Sequence, residues 1–284
     1  MSAAPGARCG VTLVELLVAV VLAGVVAAAL CRVLQANQRF YRSQSEVLDV
    51  HQGVRAVAYV LATELRGLDA RDGDLVSAGR DSVTIRAQRG FAVVCAPPDQ
   101  VDGSVIVADG LTFGTRAVDP ARDRALLFVD GGADSADAWL DFAVVAVSPG
   151  ARCEDGSPGT SLRLSVAVGA LARVAAGAPV RTYQRTTYRL YTDEDGLAWL
   201  GERHLVGGAW SAISPVAGPL RPGDGLALVL RDSSGAVTGE PPAAASVDLA
   251  IRGLSTVPIA LPGRRATGQR YPDSLSVRVA LRNN

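Results

Sequence analysis

Residues near the N-terminus form a long and nearly uninterrupted apolar run. From 11 to 30 the side chains are almost purely aliphatic, and Thr12 and Glu15 are the only polar ones among them. At 1.5 Å per residue, a helix of this length can span the hydrocarbon core of a bilayer. The pattern therefore predicts that residues 11–30 form the membrane-spanning half of a helix, with one carboxylate in its first turns.

Over residues 31–67 the pattern becomes amphipathic. Apolar side chains recur there at a spacing of three to four, and they are Val47, Val50, Val54, Val57 and Leu61. No proline interrupts the stretch. We therefore expect one continuous helix from about Val11 to Arg66, ending near Gly67. Its first half contacts lipid or other helices, and its second half packs on a globular domain through the apolar stripe.

From about Asp81 onward the hydrophobic period changes to two. The segments with this strand-like pattern are Ser82–Arg86, Ala125–Val129, Trp139–Val147, Ser161–Val168, Thr182–Tyr191, Leu226–Arg231, Val247–Arg252 and Ser274–Arg282. Turn-forming residues separate them, and no helical pattern intervenes. The expected architecture is an α+β fold in which a largely antiparallel β-sheet domain, residues 75–284, packs on the long helix. Two sheet lobes, about 75–175 and 180–284, are an alternative division.

Composition and charge narrow the expected partners. The 28 basic and 28 acidic residues cancel to a formal net charge of zero, so charge predicts no nucleic-acid binding. Every basic residue is arginine, which we attribute to biased genome composition rather than to function. The apolar run instead predicts contact with membrane lipid.

The positions of the four cysteines suggest one disulfide. Cys9 and Cys31 flank the apolar run, whereas Cys95 and Cys153 each end a strand-like stretch of the globular part. If that part is extracytoplasmic, Cys95 and Cys153 are the natural pair. A bridge between them would stabilise the fold by about 4 kcal/mol in the chain-entropy model. Two independent buried thiols are the alternative.

Glu15 is the side chain that most needs an explanation. A charge at the centre of a membrane helix costs about 2.5–3.5 kcal/mol even on the most lenient insertion scale. Such a group is by default a functional hypothesis with a partner to be found. The obvious partner is a positive charge supplied by a neighbouring helix of the same kind.

The N-terminal sequence resembles the prepilin leader of type IV pilins and type II secretion pseudopilins. The matching features are a short leader, residues 1–10, that ends in Gly10, then the apolar Val11, and then Thr12-Leu13-Val14-Glu15 leading into the aliphatic run. The resemblance implies that prepilin peptidase cleaves between Gly10 and Val11 and methylates Val11. Glu15 then becomes the fifth mature residue and neutralises the new α-amino group of an adjacent subunit during assembly.

This resemblance also implies a location and a role. The expected protein is anchored by a single helix in the bacterial inner membrane, carries an extracytoplasmic domain, and joins a periplasmic or cell-surface filament through its N-terminal helix. Residues 38–66 and 188–200 resemble the corresponding parts of large minor pilins and minor pseudopilins. A bulky domain fits a minor subunit at the filament tip, where it primes assembly with other subunits. A membrane-anchored binding module or adhesin outside any filament is the alternative.

Competing interpretations have weaker support in the sequence. An ordinary secretory signal ending at Ala27-Ala28-Ala29 conflicts with a charge in its apolar region. Because His51 lies in the helical stretch, catalysis would rest on His204 alone, so we expect neither an enzyme nor a cofactor. Asp193 and Asp195 are weak candidates for calcium ligands, because the same residues before Gly196 are also typical of a hairpin turn.

Overall fold

The N-terminal element is a single helix, as the pattern predicts. The structure, a computed structural model, describes residues 12–131, 137–259 and 269–282. Helix α1 spans Leu13–Arg66, 54 residues or about 80 Å. Thr12 caps its start and Gly67 its end. The buried positions of α1 lie in its second half, at helical spacing, and are Ser43, Val50, Gly53, Val54, Val57, Ala58, Leu61, Ala62 and Leu65.

The remainder of the described chain is a β-sheet domain, which confirms the predicted α+β class. The strands are β1 (Leu75–Ala78), β2 (Ser82–Val93), β3 (Ser104–Ala108), β4 (Phe113–Gly114), β5 (Asp123–Val129), β6 (Ala138–Arg152), β7 (Pro158–Leu164), β8 (Pro179–Thr192), β9 (Ala198–Val206), β10 (Ala209–Trp210), β11 (Ser214–Leu220), β12 (Leu226–Arg231), β13 (Ser246–Leu254) and β14 (Pro272–Ala280). Short 3₁₀ turns occupy Asp109–Leu111 and Pro241–Ala243. The pairings between these strands are antiparallel.

Strand β8 organises the sheet. Along one edge it pairs with β2 over nearly its whole length. Along the other edge its first half pairs with β5 and its second half with β9. The sheet continues from β5 through β6 and β7 to β3, and from β9 through β11 and β13 to β12, while β14 pairs with β13. A long central strand thus connects both ends of the domain.

Two hydrophobic clusters form the interior. The first joins the apolar stripe of α1 to inward side chains of β1, β2, β8, β9 and β11–β14. The second has no helix and lies among β2, β3 and β5–β8. Strands β2 and β8 contribute to both clusters, for example through Tyr188 in the first and Val180 in the second. The interior therefore changes from one cluster to the other along these strands.

Glycines allow α1 to approach the sheet closely. A Cβ on Gly53 would lie 2.2 Å from the carbonyl oxygen of Gly218 in β11. A Cβ on Gly253 in β13 would lie 2.7 Å from both Val50 and Val54 of the helix. Real Cβ atoms essentially never approach so closely, so these two positions set the distance between the helix and the sheet.

We expect Gly53→Ala to destabilise the domain by about 2 kcal/mol. Alanine alone would favour the helix by about 1 kcal/mol, but the new methyl group meets backbone that cannot move aside cheaply. Urea denaturation of the full chain in detergent micelles measures the difference. Gly24→Ala is the matched control, because a Cβ at Gly24 meets nothing within 4 Å. Equal stability of the two variants would contradict this interpretation of the contact.

Candidate functional site

The N-terminus of α1 presents a carboxylate beside its cap. The hydroxyl oxygen of Thr12 accepts a hydrogen bond from the backbone N–H of Glu15 at 3.3 Å. The carbonyl of Thr12 accepts from the N–H of Leu16 at 3.1 Å. This is the first half of a capping box, and it places Glu15 in the turn where the helix dipole favours negative charge. Gly10 and Val11, the predicted cleavage site, lie outside the described residues.

The Glu15 carboxylate is exposed and lacks a partner within the described part of the chain. Neither a hydrogen bond nor an ion pair joins it to another described residue. The side chains around it are apolar and equally exposed, with Leu13 at 81% and Leu16 at 60% of full exposure. A carboxylate of this kind is available to a positive group from outside the chain.

The first half of α1 projects away from the β-sheet domain. Residues 13–42 are all exposed, a length of about 45 Å. By length and composition this helix can cross a membrane. Large contiguous apolar surfaces of this kind mark contacts with a membrane or with other proteins.

The sequence at this end matches a known family model. Residues 6–30 match the prokaryotic N-terminal methylation motif, which covers Gly10, Val11 and Glu15. The chain carries a prepilin-type N-terminal motif. This confirms the resemblance and supports a pilin-like or pseudopilin-like subunit that prepilin peptidase processes and that associates with other such subunits. No curated protein and no solved structure matches the chain.

In the β-sheet domain, a disulfide joins Cys95 to Cys153. The S–S distance is 2.01 Å, and the bridge links the loop after β2 to the turn between β6 and β7. Backbone bonds reinforce the contact, since the N–H of Glu154 donates to the carbonyl of Cys95 at 3.1 Å. Cys31 on the projecting helix is an exposed free thiol. Cys9 lies outside the described residues.

Removing the bridge with Cys95→Ser/Cys153→Ser should lower the free energy of unfolding by about 4 kcal/mol. The bridge spans 58 residues, so its loss frees a long loop in the unfolded chain. Denaturation of the full chain in micelles, compared with Cys31→Ser as a control, measures this cost. A loss below about 1 kcal/mol would show that local packing, not the covalent link, stabilises this end of the domain.

Asp193 and Asp195, the weak calcium candidates, lie in the hairpin turn between β8 and β9. One oxygen of Asp193 accepts from the N–H groups of Asp195 and Leu197 at 3.1 and 2.8 Å. The other accepts from the indole N–H of Trp199 at 2.7 Å, and this bond is the main reason that the pKa of Asp193 is lowered. The described residues contain no group of three or more metal-type ligands. These hydrogen bonds are those expected of an aspartate that stabilises a hairpin turn.

Both histidines connect structural elements. His51 on α1 lies 2.7 Å from the Asp273 carboxylate in β14, and Tyr271 is 3.4 Å from its other ring nitrogen. His204 in β9 lies 3.2 Å from the Thr186 hydroxyl of β8. His51 therefore links the helix to the last strand, and His204 links two neighbouring strands.

A buried ion pair fixes the exit of α1 to the centre of the sheet, and sequence reasoning did not predict it. Asp74 accepts hydrogen bonds from the Arg181 guanidinium of β8 at 2.6 Å and from the N–H of Asp69 at 3.0 Å. Asp74 is fully buried and Arg181 is 4% exposed. Beside them, burial and the charges of Asp69 and Asp74 raise the pKa of Asp72. The helix therefore connects to the sheet through a hydrogen-bonded polar turn.

Proposed function

We propose that this chain is a minor structural subunit of a type IV pilus or a type II secretion pseudopilus. The observation that carries the proposal is the Glu15 carboxylate, which has no partner among the described residues and lies at the capped start of an exposed apolar helix. Its place inside the methylation motif supports a role in assembly. An exposed apolar helix with one charge is suited to bind other helices of the same kind.

Cleavage supplies the positive group that Glu15 lacks. Cutting between Gly10 and Val11 creates an α-amino cation one residue before the Thr12 cap. This cation lies at the positive end of its own helix dipole, so it gains from a carboxylate nearby. On an adjacent subunit shifted along the helix axis, Glu15 would neutralise it. Because either charge alone is costly inside an apolar bundle, the pair would select one axial offset between subunits.

The size of the domain favours a minor subunit at the tip. The β-sheet domain, residues 75–284, covers only the second half of α1, and the first half is free for a filament core. A broad domain on every subunit would crowd the surface of a uniform filament, whereas a terminal position has room for it. We therefore assign this chain to the tip, where it primes assembly, with its domain on the extracytoplasmic side of the inner membrane.

Mass spectrometry of the mature N-terminus tests the proposal. The expected product begins with N-methylated Val11, and Gly10→Val should abolish processing while Gly6→Val leaves it intact. A mature N-terminus at Leu30 would instead show ordinary secretory cleavage and would overturn the proposal. Processed protein that stays in the membrane and never enters sheared filaments would favour a membrane-anchored binding module.

A further inference from the structure

The outer face of β8 carries a row of arginines. Alternate residues of a strand share one face, so Arg185, Thr187 and Arg189 lie on the same side. The residues between them include Tyr188, which is part of the hydrophobic cluster beneath α1. The side that carries Arg185 and Arg189 therefore faces away from the helix, and both arginines are partly exposed.

Neighbouring strands add positive charge to this face instead of balancing it. Arg86 of β2 is the register partner of Arg185. Arg203 of β9 is the register partner of Thr187. Like charges directly opposite each other destabilise a sheet, so this arrangement does not serve the stability of the fold. Arg86 is compensated by Asp141 at 3.4 Å.

Three of these arginines, Arg185, Arg189 and Arg203, have no carboxylate partner among the residues that the structure describes. We name these three residues the arginine face. The Nε atoms of Arg189 and Arg203 are buried without a hydrogen-bond partner. The Arg203 guanidinium lies over the Trp210 ring, 4.8 Å from its centroid, which restrains its orientation. Cations that have no carboxylate partner in the described chain are suited to bind an anionic group from outside.

The spacing of the arginine face matches an extended peptide. Arg185 and Arg189 are about 14 Å apart along the strand, because each residue rises by about 3.4 Å. Arg203 lies beside the midpoint, so the three charges advance in steps of about 7 Å. Side chains on one side of an extended peptide repeat at the same interval.

The two ends of the arginine face differ in charge. At one end, Tyr183 of β8 donates its hydroxyl to Asp141 at 2.8 Å, but Arg86 and Arg124 neutralise this carboxylate. Beyond the other end of β8, Asp193 is held in the hairpin turn by Trp199. A long polyanion such as a nucleic acid would be repelled by the Asp193 carboxylate at that end. A segment that carries only about three negative charges matches the three arginines and ends before Asp193.

We propose that the arginine face binds a short, extended segment of a partner protein with carboxylates on alternate residues. Under the proposed function, on which the identity of this partner rests, the segment belongs to another subunit of the same filament. The contact would hold the β-sheet domains of neighbouring subunits side by side. It is separate from the contact that Glu15 makes within the helical core.

Peptide binding to the purified full chain in detergent micelles tests this surface. One probe alternates glutamate and threonine with three glutamates, and a second has the same composition with the glutamates in one block. We expect the alternating peptide to bind about tenfold more tightly, with an affinity that falls as salt rises. Arg185→Gln/Arg189→Gln should remove the preference. The charge-matched control Arg152→Gln/Arg163→Gln, on β6 and β7, should keep it.

Each other outcome overturns the proposal. Equal binding of both peptides, or a preference that survives Arg185→Gln/Arg189→Gln, would show that the arginine face does not recognise spaced carboxylates. Equal or tighter binding of a thymidine oligonucleotide would show a general polyanion surface. Thermal melting establishes that the variants fold, and removal of like charges should leave their melting temperatures equal or higher. Because the assay needs no filament, its result is independent of whether the chain enters one.

Discussion

Replacing Glu15 by glutamine is expected to leave the protein in the membrane and to remove it from filaments. Glutamine keeps the shape of the side chain but cannot neutralise the α-amino group of a neighbouring subunit. Leaving one member of a buried ion pair alone costs about 3–5 kcal/mol, so incorporation should fall by about 100-fold or more. Immunoblots of sheared filaments, normalised to the membrane fraction, measure the ratio.

Two control variants identify the cause of that loss. Asp49→Asn removes an exposed carboxylate from the amphipathic half of the same helix and should not affect incorporation. Thr12→Ala removes the helix cap, worth about 1 kcal/mol, and should reduce incorporation only slightly. If Thr12→Ala reduced incorporation as strongly as Glu15→Gln, Glu15 would act by stabilising the start of α1 and not by pairing with another subunit.

The helix and several strands could be predicted because their hydrophobic periods are strong and local. The predicted helix differs from the observed one by two residues at its start. The last strand alternates as expected, with Val277 and Val279 more buried than their neighbours. Strand β11 was missed because it contains prolines and a glycine, which are typical of turns. Strand β9 was missed because Glu202, Arg203 and His204 interrupt its alternation.

Some site residues could likewise be predicted from local sequence, and others could not. Gly10, Val11 and Glu15 lie within one short stretch of the sequence, so sequence alone could point to them. The Thr12 cap was missed although a threonine three residues before a glutamate is its sequence signature. A formal net charge of zero concealed the arginine face, because an average over 284 residues says nothing of local balance. The pairing register between the strands brings those arginines together. No local sequence pattern reveals that register.

The pair between Asp74 and Arg181 could not be predicted for the same reason, since 107 residues separate its members. Asp74 directly precedes β1, and its carbonyl accepts from the N–H of Arg86 in β2, so Asp74 comes next to Arg181 only when β2 and β8 pair. Both side chains are charged, and sequence patterns normally place such residues at the surface. Each of the two charges is therefore tolerated in the interior only because the other is present. Both also depend on the turn that follows α1.

Arg181→Met is expected to destabilise the domain by about 3–5 kcal/mol. The variant keeps most of the side-chain volume but leaves the Asp74 carboxylate buried with one backbone N–H as its remaining donor. Urea denaturation of the full chain in micelles measures the loss, with Arg163→Met on the exposed face of β7 as the control.

A second substitution decides whether the unpaired Asp74 charge causes the loss of stability. Asp74→Leu in the Arg181→Met background removes the stranded carboxylate, so stability should recover by at least about 2 kcal/mol even though one more native contact is lost. Additive losses in the double variant would instead mean that packing around Trp139, 5.3 Å from the Arg181 guanidinium, is what the wild-type residue contributes. Recovery would show that the pair determines how α1 joins the sheet, because the two side chains are tolerated only together.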